Sequence, residues 1–103
     1  MPKKVTENQL QKQIIDYLRL KEYLAVKFPS VGIYNKKTGS YIPMPQRGVS
    51  DILFWGHSIF GAIECKMKPK KPTPEQLQFL EDMKYRDGMA IVAYSLDDVI
   101  EKI

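Results

Sequence analysis

Only one cysteine, Cys65, occurs in the 103 residues. No internal disulfide can form, and a lone thiol fits a reducing, intracellular setting. No apolar run approaches the ~20 residues of a membrane span. The first residues, MPKKVTENQ, are charged and lack the apolar segment of a secretory signal, so the expected location is the cytoplasm. Repeats, Gly/Ser-rich linkers and low-complexity tracts are all missing, which predicts one domain over residues 1–103. That length supports one modest hydrophobic core. Acidic residues are the scarcer charge, 12 against 16 basic, for a net charge of +4. The surplus permits a polyanionic partner such as nucleic acid without requiring one.

What is present reads as alternating helices and strands. Thr6 with Gln9 has capping-box form, Glu7 suits the first turn, and Leu10, Ile14, Tyr17 and Leu18 recur at helical spacing until the pattern fades near Glu22–Leu24. YLAVKFP is extended up to Pro29. VGIYNKKTGSYIPMP gives two short strand-like runs about a Lys-Thr-Gly turn, although Pro43 and Pro45 argue against a regular strand there. Two strands follow, about residues 51–55 and 59–67, joined at GHS. Thr73, Pro74 and Gln76 open a second helix that runs to about Arg86, with Gly88 as its stop. MAIVAYS suits a buried strand, and Ser95 caps a last helix with Val99, Ile100 and Ile103 facing inward. The outcome is an α/β fold, a mixed sheet flanked by helices.

The two strands around GHS raise a chemical question, because Asp51 opens one and Glu64 and Lys66 close the other among apolar residues. A two-residue loop at His57-Ser58 sets Asp51 opposite Glu64, and a four-residue loop keeps that pairing. A three-residue loop breaks it. Directly opposed residues have Cβ atoms ~4.5–5.5 Å apart, and alternation puts Lys66 on the face of Glu64. Two carboxylates at that distance repel. A hard divalent cation relieves the repulsion, since such ions take one or two carboxylates plus waters and phosphate oxygens. The lysine can then hold a water or neutralise phosphate charge. The plainer alternative is an Asp51 that ends a strand beside a solvated Glu64–Lys66 pair. His57, in the turn, is remote from the acids, and Trp55 and Phe60 read as core or interface.

The order Ser50-Asp51, then Glu64-Cys65-Lys66, is similar to the PD-(D/E)xK nuclease signature, with Ser50 in place of its proline. RGVSD, AIECK, TPEQLQFLEDMKYRDG, AIVAYS and LDDVIEKI together resemble the VRR-NUC family, the virus-type replication-repair nucleases, in its stand-alone form found in phages and bacteria. The resemblance implies a restriction-endonuclease-like core ordered α-β-β-β-α-β-α. It implies a metal-dependent endodeoxyribonuclease acting on branched or duplex DNA, in the manner of Holliday-junction resolvases, as a homodimer. On this likeness Asp51 and Glu64 bind Mg²⁺ or Mn²⁺ with the backbone carbonyl of Cys65. Lys66 positions water or stabilises the phosphorane, Glu7 is an outer acid, and Gln76 stands near the centre. Glu7 equally fits a helix-dipole contact and Gln76 a capping box.

Lys66, Lys68 and Lys70 alternate, and Lys71 follows; in an extended segment they would line a phosphate backbone. Lys36, Lys37 and Arg47, set among tyrosines Tyr34 and Tyr41, suit a grip on a nucleic-acid strand. The lysine run also reads as a solvated loop, and Tyr34 and Tyr41 equally as packing for a hairpin. The competing functions are a non-catalytic nucleic-acid-binding module with the same fold, and a protein-interaction domain using Trp55 and Phe60.

Overall fold

The computed structural model describes residues 5–28, 33–42 and 48–103. The first helix, α1 (Glu7–Leu20), begins where its capping box begins. The Gln9 amide donates to Thr6 Oγ1 at 3.1 Å, and the Thr6 amide donates to Gln9 Oε1 at 2.9 Å. Two amides that the helix leaves without partners are thereby satisfied. Its stripe of Leu10, Ile14 and Leu18 is fully buried, each side chain worth roughly 1.5–3 kcal/mol of burial.

The strands are β1 (Leu24–Lys27), β2 (Ile33–Asn35), β3 (Ser40–Ile42), β4 (Ile52–Gly56), β5 (Ile59–Cys65) and β6 (Met89–Ala93); the remaining helices are α2 (Pro74–Tyr85) and α3 (Leu96–Ile100). A four-stranded sheet has the order β1-β4-β5-β6, and β2 and β3 form a separate antiparallel ribbon. β1, β4 and β5 run antiparallel in turn, whereas β5 and β6 are parallel, with α2 as the crossover. Setting the ribbon aside, the main sheet and its helices follow the expected α-β-β-β-α-β-α order. No helix of the described residues is long and apolar enough to cross a membrane.

Alternation along the strands divides the sheet into two unlike faces. One carries Ala25, Ile52, Phe54, Ile63, Cys65, Ile91 and Ala93, which pack with α1 and with Val99 of α3 into the main core. The other carries Ala62 and Glu64 and receives α2 through Leu80. Among the described residues a helix covers this second face over β5 and β6 alone, and Trp55 is 45% exposed with its register partner Leu24 exposed too. Trp55 is therefore not core. Ile100 and Leu77 are likewise exposed, because a five-residue helix buries only Val99 and because Leu77 lies on the solvent side of α2.

The second helix ends in a different way from the glycine stop. Asp87 takes the left-handed conformation at φ 65°, and the Gly88 amide donates to the Met83 carbonyl at 2.9 Å. The Asp87 amide donates to Lys84 at 3.0 Å, which completes a Schellman closure. Gly88 is needed for space, since a Cβ there would press on Met83 and Phe60.

Gly48 matters more for the site. Its φ is +78°, and a Cβ would collide with the backbone of Glu75 and Gln76. The segment 48–51 thus runs hard against the start of α2. Gly48→Ala should cost more than ~2 kcal/mol through this backbone clash and the left-handed strain. A urea titration that finds the variant as stable as the parent would contradict this close approach.

Candidate active site

The hairpin β4–β5 turns at His57 and Ser58, both left-handed at φ 51° and 67°. This is the two-residue loop of the I′ kind, whose twist matches the strands. His57 has a structural role: its Nε2 lies 2.8 Å from the Lys21 carbonyl, and its ring packs edge-on to Tyr23. From Gly56↔Ile59 the register runs down to Ile52↔Ile63. One step further, Asp51 faces Glu64 just before β4 begins. β4 is shifted by one residue from the expected 51–55, whereas β5 starts at residue 59 as expected and stops at Cys65 instead of 67.

Both acids are buried, Asp51 at 5% exposure and Glu64 at 1%. Asp51 is anchored on both sides. Its Oδ2 accepts from the Cys65 amide at 2.8 Å, and its carbonyl accepts from the Phe28 amide at 2.7 Å. Lys66 Nζ stands 3.7 Å from Glu64 Oε1, with its side chain 14% exposed. A buried carboxylate needs partners for both oxygens, yet Glu64 Oε2 has none among the described residues. Burial first, and then the Asp51 carboxylate, push the Glu64 carboxyl up to about 8 against the pull of Lys66. Burial, reinforced by Asp51 and Glu64, also pushes the Cys65 thiol far up, so it stays protonated. Cys65 contributes its backbone here, not a thiolate.

This donor set is hard oxygen with an excess of negative charge and a free acceptor. Mg²⁺ or Mn²⁺ fits it on those grounds. Among the described residues no group of three Asp, Glu, His or Cys side chains converges on one point. Further ligands would come from backbone, water or substrate.

No family model matches the sequence, and no curated protein matches it. A solved structure of a VRR_NUC domain superposes on it with a TM-score of 0.67 at 22% identity, covering 92% of this chain and 94% of the other. The chain has the VRR_NUC fold. That likeness covers nearly the whole chain, and the expected α/β fold, a mixed sheet with flanking helices, is borne out.

Within the VRR_NUC fold the other candidate residues fall in different places. Gln76 is the N3 residue of α2: its Oε1 accepts from the Thr73 amide at 2.8 Å, and its own amide donates to Thr73 Oγ1 at 3.2 Å. Its side chain is thus engaged in the capping box, and its backbone nitrogen lies beside Gly48, two residues before the buried Ser50. Ser50 is fully buried and its Oγ has no partner. Glu7 lies on the α1 side of residues 66–70, lining a groove with Met67, Lys68 and Lys70.

The lysine row is not extended. The Lys70 amide donates to the Met67 carbonyl at 2.9 Å, turning the chain. Lys66 goes to the acids, Lys68 goes to Tyr94 at 5.9 Å from the ring centre, and Lys71 is exposed. Lys36 and Lys37 are exposed in the ribbon turn, and Arg47 lies outside the described residues. Tyr94 was missed in sequence. It is the first residue past β6, at the carboxyl end of a parallel strand, where α/β sheets place ligands.

Because Glu64 titrates near 8 when folded and at 4.5 as a free side chain, the folded chain holds a proton that the unfolded chain has lost between those values. Metal-free stability therefore falls as pH rises through that window. Glu64→Gln should flatten the fall. Thermal unfolding in EDTA across the window checks this, and equal slopes for parent and variant would refute it.

Proposed function

We propose that this chain is a stand-alone member of the VRR-NUC family, a Mg²⁺- or Mn²⁺-dependent endodeoxyribonuclease that hydrolyses phosphodiester bonds in branched or duplex DNA. The observation that carries the reading is the buried, mutually facing pair Asp51 and Glu64, with Lys66 3.7 Å from Glu64 and one carboxylate oxygen left without a partner. The VRR_NUC fold over 92% of the chain agrees with it.

Asp51, Glu64 and the backbone carbonyl of Cys65 would hold the ion. When bound, a divalent cation polarises the phosphoryl oxygen and makes a coordinated water acidic. The chain's own residues do the rest. The Cys65 amide fixes Asp51 in one rotamer, so the acid presents itself without reorganisation. Lys66 keeps its ammonium beside Glu64, where it offsets charge in the resting site and faces the phosphoryl oxygens as negative charge builds on them. Water adds to phosphorus, one P–O ester bond breaks, and the products are a phosphomonoester and an alcohol. Gln76 braces the α2 start behind this site, and Glu7 on α1 is the proposed outer acid.

The exposed lysines Lys36, Lys37, Lys68, Lys70 and Lys71, with Arg47, are the proposed phosphate contacts that hold DNA without reading its sequence. Cutting both strands of a duplex or both arms of a junction requires two active sites, which a two-fold homodimer supplies. The proposed setting is the cytoplasm, including that of a phage-infected bacterium.

Four-way junction, flap, single-stranded and duplex DNA should be cut in Mg²⁺ or Mn²⁺ and left intact in EDTA. Asp51→Ala, Glu64→Ala and Lys66→Ala should each lower the rate by at least ~100-fold while circular dichroism shows a folded protein. Salt-sensitive binding with no cleavage of any of the four would favour the non-catalytic module instead.

A further inference from the structure

A groove of about 860 Å³ opens at the carboxyl ends of β5 and β6, on the α1 side of residues 66–70. Its walls are Val5 and Glu7 from α1 and its approach, Met67, Lys68 and Lys70 from the segment after β5, and Tyr94 after β6. The Tyr94 ring is held at both ends. Its hydroxyl donates to the Lys70 carbonyl at 3.1 Å, and its backbone amide donates to Asp98 Oδ2 at 2.8 Å. Lys68 Nζ stands 5.9 Å over the ring. Asp98 also accepts from the Ser95 amide at 3.2 Å, so its charge is engaged by backbone. A half-buried aromatic face, with Val5 and Met67 beside it and ammonium groups at its rim, matches a nucleobase carried between phosphates.

We propose that this groove takes one unstacked base of a single-stranded DNA segment, on the Tyr94 ring, with Lys68 and Lys70 on the flanking phosphates. The proposal rests on the nuclease reading above and names the part of a substrate that the site prefers, an unpaired strand next to the scissile bond. The two sites are joined by consecutive residues: Lys66 turns to the acids and Met67 to the groove. A base inside an intact duplex is stacked and paired, and cannot offer its face to Tyr94 without an unstacking cost of a few kcal/mol. Glu7, on the facing wall, is an acceptor for an exocyclic amino group.

Binding of dye-labelled oligo(dT) and of an equally long duplex, followed by anisotropy in EDTA, tests this. Tyr94→Leu should weaken oligo(dT) binding ~10-fold or more and leave the duplex within about 2-fold, while Tyr94→Phe keeps the parental affinity for oligo(dT). Equal losses on both probes, or no loss on oligo(dT), overturn the proposal. A second measurement uses only the parent: photo-crosslinking to an oligonucleotide carrying 5-iododeoxyuridine should place the adduct on Tyr94, and adducts confined to other residues overturn it. The two readings fail separately. Cleavage that survives Asp51→Ala removes the nuclease assignment while Tyr94-dependent binding stands; cleavage lost in Asp51→Ala with oligo(dT) binding unchanged in Tyr94→Leu removes the groove alone.

Discussion

Two carboxylates held face to face inside a sheet are the constraint around which this molecule is organised. Neither would sit at 1% or 5% exposure if the chain had freedom to swing it into water. Burial taxes the charged form of Glu64, and the Asp51 carboxylate beside it adds to the cost of ionising it. The protein answers with one amide on Asp51 and one ammonium beside Glu64, which leaves a carboxylate oxygen without a partner. Such tension persists only where the surrounding scaffold overdetermines the geometry, and here Asp51 is pinned through its side chain to β5 and through its carbonyl to the residue after β1.

The rest of the fold can be understood by asking what keeps those two strand ends in place. On one side, α1 and α3 fill the core face with Leu10, Ile14, Leu18 and Val99. On the other, α2 begins against Gly48, so the loop that carries Ser50 and Asp51 into the site is wedged under a helix whose first turn is closed by Thr73 and Gln76. The segment after β5 uses strand alternation at its last useful point: Lys66 points to the acids, and the next residue to the opposite wall. One short stretch thereby serves two neighbouring surfaces.

Much of this was legible in the residues themselves. Both long helices announced their starts through capping boxes that the structure contains atom for atom, and two apolar runs about the GHS turn marked the hairpin strands. Local chemistry determined those features, so local reading found them. The failures were of another kind. The lysine row looked extended because its spacing is that of a strand, but a hydrogen bond from Lys70 back to Met67 turns it. Trp55 read as either core or interface, and its exposure, on a face that α2 meets over β5 and β6, rules out the first. Tyr94 carried no motif, and only the position of β6 beside β5 gives it a role. Each depends on which elements become neighbours, which spacing along one chain does not encode.

The turn at His57–Ser58 is the most consequential small feature, although it lies at the far end of the hairpin from the acids. Side chains alternate with period two, so one added or deleted turn residue would carry Glu64 and Lys66 to the α1 face together with the apolar set. Ile63 and Cys65 would then occupy the site, and two charges would enter the main core. The same alternation that buries Ile52, Phe54 and Ile63 thus aims Asp51 and Glu64 at each other. Core packing and site geometry are therefore one register. This explains how a 103-residue chain tolerates a buried charge cluster: the apolar gain of the correct register and the cost of the facing carboxylates cannot be separated, and the first is spread over many more side chains than the second.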